Sequence, residues 1–262
     1  MIKRWLTRNL LVLTLVSLAQ DAASELLYPL LPILLVGVIG AAPLALGLIE
    51  GCAEAAAGLT KLLSGGASDR FGRKKFVIGG YALAGVGKGL VVLATAWPLV
   101  FLGRITDRIG KGMRSAPRDA LIADSVHKDD LGKAFGFHRT GDNIGAVIGP
   151  GIALIGLSLL NGDVRAVAAW ALIPAMISAV LTFFIREKFV KPIREMRNTA
   201  RPKRPKLSTP LKRTIVLLTL IQLTNIPDAL LLLRLHDIGF STEGVVLSYM
   251  LFSAVTVVAA YP

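Results

Sequence analysis

The sequence predicts an all-α, polytopic membrane protein. Hydrophobic residues make up 53% of the 262-residue chain and its mean hydropathy is +0.62, which is too apolar for an ordinary soluble domain. Several apolar runs approach the roughly 20 residues that an α-helix needs to cross a bilayer. The basic residues behind the net charge of +13 fall mainly between these runs, as they do in the cytoplasmic loops of membrane proteins.

The first predicted span covers residues 9–36 and is polar at its middle. Its basic start and apolar continuation also fit a cleaved secretory signal, but the apolar stretch resumes further on, which favours an uncleaved helix. Asp21 and Glu25 are four residues apart and therefore share one helix face, next to Gln20. Two prolines beyond them predict a bend in the outer half.

Two further helices follow. The second covers residues 43–63 and has two glutamates on one face. Residues 65–75 read as a tight, basic loop, which we expect on the cytoplasmic side. The third helix, residues 76–95, contains one charged residue, Lys88.

The fourth predicted helix, residues 97–126, has a charged stripe. Its charges recur every three or four residues, at Arg104, Asp107, Arg108, Lys111, Arg114 and Arg118. Each charge would cost about 2.5–3.5 kcal/mol or more if it faced lipid, so we expect the stripe to face a wet cavity or protein partners. The stripe alone also fits a helix lying on the membrane surface, but the neighbouring spans decide against it.

The fifth predicted helix, residues 131–160, begins with a polar group formed by His138, Arg139 and Asp142. The sixth, residues 166–185, has no charge. Helices one, two, four and five therefore carry most of the charges within the spans. This pattern is expected if four helices face a polar cleft and two face lipid.

The chain divides into three predicted parts. Residues 1–185 hold six helices, residues 186–213 form a basic linker with four prolines, and residues 214–262 hold two further helices, the first with Asp228. Basic segments alternate with nearly neutral turns. We therefore expect the amino terminus and the linker in the cytoplasm.

A motif after the second span resembles the signature of the major facilitator superfamily. The pattern G-x-x-x-D-R-x-G-R-K is formed by Gly65, Asp69, Arg70, Gly72, Arg73 and Lys74. The superfamily has this pattern between helices two and three. The resemblance implies two six-helix halves, of which this sequence supplies the six-helix amino-terminal bundle and about two helices of the second. We therefore expect a chain that is truncated after about eight helices.

Other motifs resemble the twelve-helix drug:proton antiporters of this superfamily. Helix five contains Gly145, Gly149 and Pro150, which are similar to the antiporter motif, although its usual second glycine pair is missing. Tyr28, Pro29 and Pro32 are similar to the proline-containing motif of the first helix. Arg108, Lys111 and Gly112 loosely resemble the fourth-helix motif, in which Arg104 is an alternative equivalent.

The resemblance implies a secondary active transporter of the plasma (bacterial inner) membrane, with proton-coupled efflux of small molecules by alternating access. Our candidates for proton coupling are Asp21, Glu25, Arg108 and Asp142. The resemblance also implies that Asp69 and Arg73 act in a lock between the two halves. Candidates for lining the cavity are Gln20, Arg104, Lys111, Arg114, Arg139 and Asp228.

Two alternatives stay open from the sequence. One is uptake of a solute together with protons. The other is a truncated remnant, or a membrane interaction protein, that does not transport. We expect no enzyme, cofactor or metal site, because the sequence has no phosphate-binding loop, zinc-ligand spacing or nucleophile elbow and only one cysteine, Cys52. We expect a monomer that binds no nucleic acid.

Overall fold

The computed structural model describes residues 5–187, 208–223 and 226–259. Over these residues the chain is α-helical and has no β-strand, which confirms the predicted all-α class. The α-helices are α1 Arg8–Leu27, α2 Pro43–Phe71, α3 Arg73–Val92, α4 Trp97–Ser125, α5 Leu131–Leu159, α6 Val164–Ala169, α7 Leu172–Leu181, α8 Thr209–Leu223, α9 Asp228–Asp237 and α10 Thr242–Ala259.

The first span is not the single helix over residues 9–36 that we predicted. α1 ends at Leu27, a 3-10 turn covers Tyr28–Leu30, and a π-helical segment covers Ile33–Val38. Proline has no backbone N–H, so Pro29 and Pro32 interrupt the regular hydrogen-bond pattern of the helix. The predicted bend is therefore a change of helix type.

The predicted loop over residues 65–75 is wrong. α2 continues as a helix to Phe71, and α3 starts at Arg73, so the connection is Gly72 alone. Gly72 has a φ of +99°, a conformation that side chains with a Cβ rarely adopt. The extra turns of α2 pack against α4, and Ser64 Oγ donates a hydrogen bond to the backbone oxygen of Gly112 at 3.0 Å. These tertiary contacts stabilise a helix where the local sequence predicts a turn.

Later elements also differ from the prediction at their ends. The sixth span is formed by α6 and α7, with a 3-10 turn at Thr182–Phe184, rather than by one helix. The predicted seventh helix corresponds to α8 and α9, and residues 224–225 between them lie outside the described residues. Most of the predicted linker, residues 188–207, also lies outside them. Its last residues, from Thr209, belong to α8.

The helices pack as a bundle in which α1 lies against α5 and α7, and α4 lies against α2 and α3. α10 packs on α5 and α9 on α2. One end of the bundle is formed by the first residues of α1 and α3 and by the last residues of α2, α4 and α7, which are joined by hydrogen bonds. We call this the basic end, because it carries Arg70, Arg73, Lys74, Lys75 and Arg186.

Two apolar clusters occupy the two ends of the bundle. α1 contributes Leu10, Leu13 and Val16 to the cluster near the basic end, and Leu26 and Leu27 to the other. The polar residues of α1 lie between these two groups, so a polar layer separates the two clusters. Large apolar side chains cover much of the outer surface, as expected for a surface in contact with lipid. Five segments in the described part of the chain are long and apolar enough to cross a membrane: Arg8–Leu30, Arg73–Val92, Lys128–Leu159, Val164–Phe184 and Thr242–Ala259.

Candidate functional site

The most buried charges form an ion-pair network among α2, α3 and α4. Arg104 donates from Nε and Nη2 to the two carboxylate oxygens of Glu50 at 2.8 and 2.9 Å. Lys88 Nζ donates to Asp107 Oδ1 at 2.7 Å, and Asp107 Oδ2 lies 3.6 Å from Arg104 Nη1. Two acids and two bases cancel, so the network holds three helices together without net charge. Arg104, which we expected to line a cavity, is 2% exposed and is part of this network.

The stripe of α4 continues beyond this network. Arg108 Nε lies 3.2 Å from Glu54 Oε1, so Arg108 pairs with α2 rather than with the carboxylates of α1. Lys111 is exposed. Arg114 is buried, with its guanidinium 4.4 Å above the centre of the Tyr81 ring, and its Nη1 atom has no hydrogen-bond partner among the described residues.

The two carboxylates of α1 have different surroundings. Glu25 accepts a hydrogen bond from the hydroxyl of Tyr249 on α10. Asp21 is half-buried and faces Asp142, Arg114 and Arg118. Gln20 is fully buried, and neither atom of its amide has a partner in the described part of the chain.

The Asp142 carboxylate of α5 lies near basic side chains of α4 and α5. Its Oδ2 atom lies 3.6 Å from Arg139 Nη1 and 4.0 Å from Arg118 Nη1. Arg118 also donates to Ser17 Oγ of α1 at 2.9 Å. The structure thus brings Asp21 and Asp142 together around Arg118, an arginine that the sequence placed only on the stripe.

Two glycines of the antiporter-like motif explain why α1 and α5 lie so close together. A Cβ atom at Gly145 would lie 2.5 Å from the Leu18 oxygen, and one at Gly149 would lie 2.6 Å from the Ala22 oxygen. Pro150 is buried within α5, which continues to Leu159. The motif therefore holds the helix of Asp142 against the helix of both α1 carboxylates.

The superfamily-like motif lies at the basic end. Arg73 Nε donates to Asp69 Oδ1 at 3.0 Å, and Arg73 also forms an ion pair with Asp124 at the end of α4. The Glu187 carboxylate accepts from the backbone N–H groups of Arg73 and Lys74, at 2.8 and 3.2 Å, and so caps α3. Gly65 packs near Ala116 of α4, while Arg70 is exposed.

At the opposite end, α9 packs on α2, α10 packs on α5, and both contact the 3-10 turn Tyr28–Leu30. The backbone N–H of Ala229 donates to the Tyr28 hydroxyl at 3.3 Å, and the rings of Tyr28 and Tyr249 are 5.5 Å apart. Asp228, expected to line the cavity, is the exposed first residue of α9.

Several residues of these contacts were absent from the predicted site, among them Lys88, Asp124, Glu187 and Tyr249. Lys88 had a usable signal, since a lone charge within an apolar span needs a partner. Glu187 is an acid beside a basic segment, which is a weaker signal. Tyr249 and Asp124 have no signal in the sequence, because their partners come from distant helices.

Known proteins resemble this chain in sequence. The uncharacterized MFS-type transporter MJ1317 of Methanocaldococcus jannaschii is 33% identical over 186 residues, which cover 71% of this chain and 46% of that protein. The multidrug resistance protein MdtH of Photorhabdus laumondii is 32% identical over 136 residues, 52% of this chain and 33% of MdtH. The chain thus spans less than half the length of either relative.

Solved structures share the fold. A POT family transporter crystallised with a thioalcohol-conjugated peptide superimposes with a TM-score of 0.61 at 17% identity, over 91% of this chain and 49% of the other. The inward-open xylose transporter XylE from E. coli superimposes with a TM-score of 0.56 at 22% identity, over 68% of this chain and 48% of XylE.

The family model described as Major Facilitator Superfamily matches residues 13–262, nearly the whole chain. This match agrees with the motif at the basic end and with the helical fold. The chain is an integral membrane protein and belongs to the Major Facilitator Superfamily of transporters.

Proposed function

We propose that this chain belongs to a secondary active transporter that exports small molecules in exchange for protons. The observation that carries the proposal is the meeting of Asp21, Asp142 and Arg118 inside a bundle with an apolar outer surface. Ionisable groups within a membrane protein are costly and usually mark ion or substrate pathways. The similarity to MdtH, which is named for multidrug resistance, supports export as the direction.

Glu25 connects proton binding to the arrangement of the two bundles. Its carboxylate accepts a hydrogen bond from the Tyr249 hydroxyl of α10. Our division of the chain, at residues 1–185, 186–213 and 214–262, places α10 in the second bundle. A proton on Glu25 changes the charge at this contact. Alternating access requires such contacts to form in one state and break in the other. Asp21, one turn earlier on α1, is the second carboxyl of the same face.

The basic end faces the cytoplasm in this proposal, and the protein acts as a monomer in the plasma membrane. The reason is the positive-inside bias, because this end carries Arg70, Arg73, Lys74, Lys75 and Arg186. The amino terminus then also lies in the cytoplasm.

The test uses inverted membrane vesicles from cells that express the gene encoding this chain. The vesicles are acidified inside, and ethidium serves as the probe. An exporter accumulates ethidium and releases protons, whereas a symporter moves ethidium outward with the protons. We expect Asp21→Asn and Glu25→Gln each to reduce proton-driven accumulation at least about tenfold, because each removes a group that accepts a proton.

The matched control is Asp129→Asn, since the Asp129 side chain is 88% exposed and lies outside the polar layer. It should transport like the unmodified protein. Membrane insertion of each variant is checked by its amount in the vesicles. If both α1 variants still release protons when ethidium is added, the assignment of these carboxyls is wrong.

A further inference from the structure

A buried histidine stands beside Asp142 and has no role in the site described so far. His138 is 1% exposed and lies on α5, one helical turn before Asp142. Its Nδ1 atom is 3.4 Å from Thr14 Oγ1 of α1, and its Nε2 atom is 3.6 Å from Asp142 Oδ1. Neither Nε2 nor Oδ1 has a hydrogen-bond partner among the described residues. Two unsatisfied polar atoms therefore face each other across a gap that a shared proton would bridge.

The surroundings of the ring accommodate both of its protonation states. A neutral imidazole has one donor and one acceptor nitrogen, whereas an imidazolium donates from both. The Thr14 hydroxyl can donate to Nδ1 or accept from it, and the Asp142 carboxylate can accept from Nε2. The position is fixed by close packing of α5 on α1, since a Cβ at Gly141 would collide with the Thr14 side chain. A proton can thus come and go while the ring keeps its place.

Charged groups from three helices face this pair. Asp21 comes from α1, Arg118 and Asp119 from α4, and Arg139 lies next to His138 on α5. With a neutral ring, the three carboxylates of Asp21, Asp119 and Asp142 outnumber the two arginines by one, so one added proton makes the cluster neutral. Asp21 lies on the side of this cluster that faces the middle of the bundle. The Arg139 side chain is 70% exposed, so this side of the cluster opens to the surface of the bundle.

We propose that His138 relays the coupled proton by taking it from Asp142 and returning it. Nε2 takes the proton from the Asp142 carboxyl, which leaves an imidazolium beside a carboxylate. When the proton moves on, Nε2 returns it to the carboxylate and the ring becomes neutral again, and no other bond changes. His138 acts through Asp142, so it is a positioning and relay residue. The proposal rests on the proton-coupled function argued above.

The first test measures protonation directly and needs no transported solute. The chain has three histidines, so His127→Gln and His236→Gln leave His138 as the single ring in a protein labelled with ¹⁵N-histidine. We expect its nitrogen signals, recorded in lipid nanodiscs over about pH 3 to 8, to show both protonation states. Asp142→Asn should move the midpoint of this titration by about one pH unit or more, since a charge within hydrogen-bonding reach is lost.

A ring that keeps one neutral tautomer over that whole range overturns the proposal, whether or not the chain transports anything. The proposal is also overturned if the midpoint of the His138 titration does not move in Asp142→Asn.

The second test separates the relay from solute binding. In proteoliposomes, His138→Gln should slow ethidium movement driven by a proton gradient at least about tenfold. Exchange of ethidium for ethidium at equal pH needs no net proton transfer and should stay within twofold of the unmodified protein. His127→Gln, whose ring is 66% exposed, is the control and should change neither rate.

Loss of both rates in His138→Gln, with intact insertion, overturns the relay in favour of a structural role. If the unmodified protein moves no ethidium in either assay, the proposed function fails, and the titration alone then decides whether His138 exchanges a proton.

Discussion

The ion-pair network of Glu50, Lys88, Arg104 and Asp107 predicts how the free energy of unfolding changes when one of its charges is removed. The side chains are only 1–6% exposed, so no water screens a charge that loses its partner. Lys88→Met leaves the network with a net charge of −1 and Asp107 with a single contact of 3.6 Å to Arg104. Removing one member of a buried pair costs about 3–5 kcal/mol, and we expect Lys88→Met to lower the free energy of unfolding by that amount.

The double variant Lys88→Met, Asp107→Asn should be more stable than Lys88→Met alone. It removes one charge of each sign and leaves the pair of Glu50 and Arg104 intact, with hydrogen bonds at 2.8 and 2.9 Å. Because no unpaired charge stays buried, we expect a loss of less than about 2 kcal/mol. The difference between the sum of the single losses and the double loss is the coupling energy of the pair.

The assay is SDS titration of the purified protein in detergent micelles, followed by circular dichroism. Lys133→Met is the matched control, since Lys133 forms a pair of 2.9 Å with Asp130 but is 63% exposed. Exposed pairs contribute little, and we expect a change below about 1 kcal/mol. Our reasoning is refuted if the double variant loses as much as both single variants together, or if Lys88→Met resembles the control.

Three further variants test the close packing and the cap. Gly145→Ala should lower stability by about 1–3 kcal/mol, measured by the same titration, because its methyl group would collide with α1. Gly85→Ala, with open space around it, should be neutral or stabilising by up to about 1 kcal/mol. Glu187→Ala should speed amide hydrogen exchange at Arg73 and Lys74 at least about fivefold, a cost of ~1 kcal/mol for a lost cap. Unchanged exchange there would show that the cap contributes nothing.

The sequence predicted part of the buried charge. The structure brings Asp21, Asp142 and Arg118 together and buries Arg104 and Arg114, but it leaves Lys111, Arg139 and Asp228 exposed. The sequence could not tell which of these charges are already paired. Arg104 and Arg108 are four residues apart on one stripe. Arg104 nevertheless forms hydrogen bonds with Glu50, whereas Arg108 forms an ion pair with Glu54.

The error at residues 65–75 has a similar cause. Two glycines and a run of charges favour a turn locally. The structure keeps the helix because α2 packs on α4 beyond the predicted end, and the chain reverses only at Gly72. Local preferences of a few tenths of a kcal/mol to about 1 kcal/mol per residue are small enough for packing to override.

The sequence by itself determined the apolar spans, the motif that marks the superfamily and the side chains that share a helix face. These follow from the length of a membrane crossing and from the 3.6-residue period of the helix, which are local properties. Only the tertiary structure decided that Lys88 pairs with Asp107, that Tyr249 reaches Glu25 and that His138 stands between Thr14 and Asp142. A helical period fixes directions around one axis, whereas these contacts depend on how neighbouring helices are rotated and placed against each other.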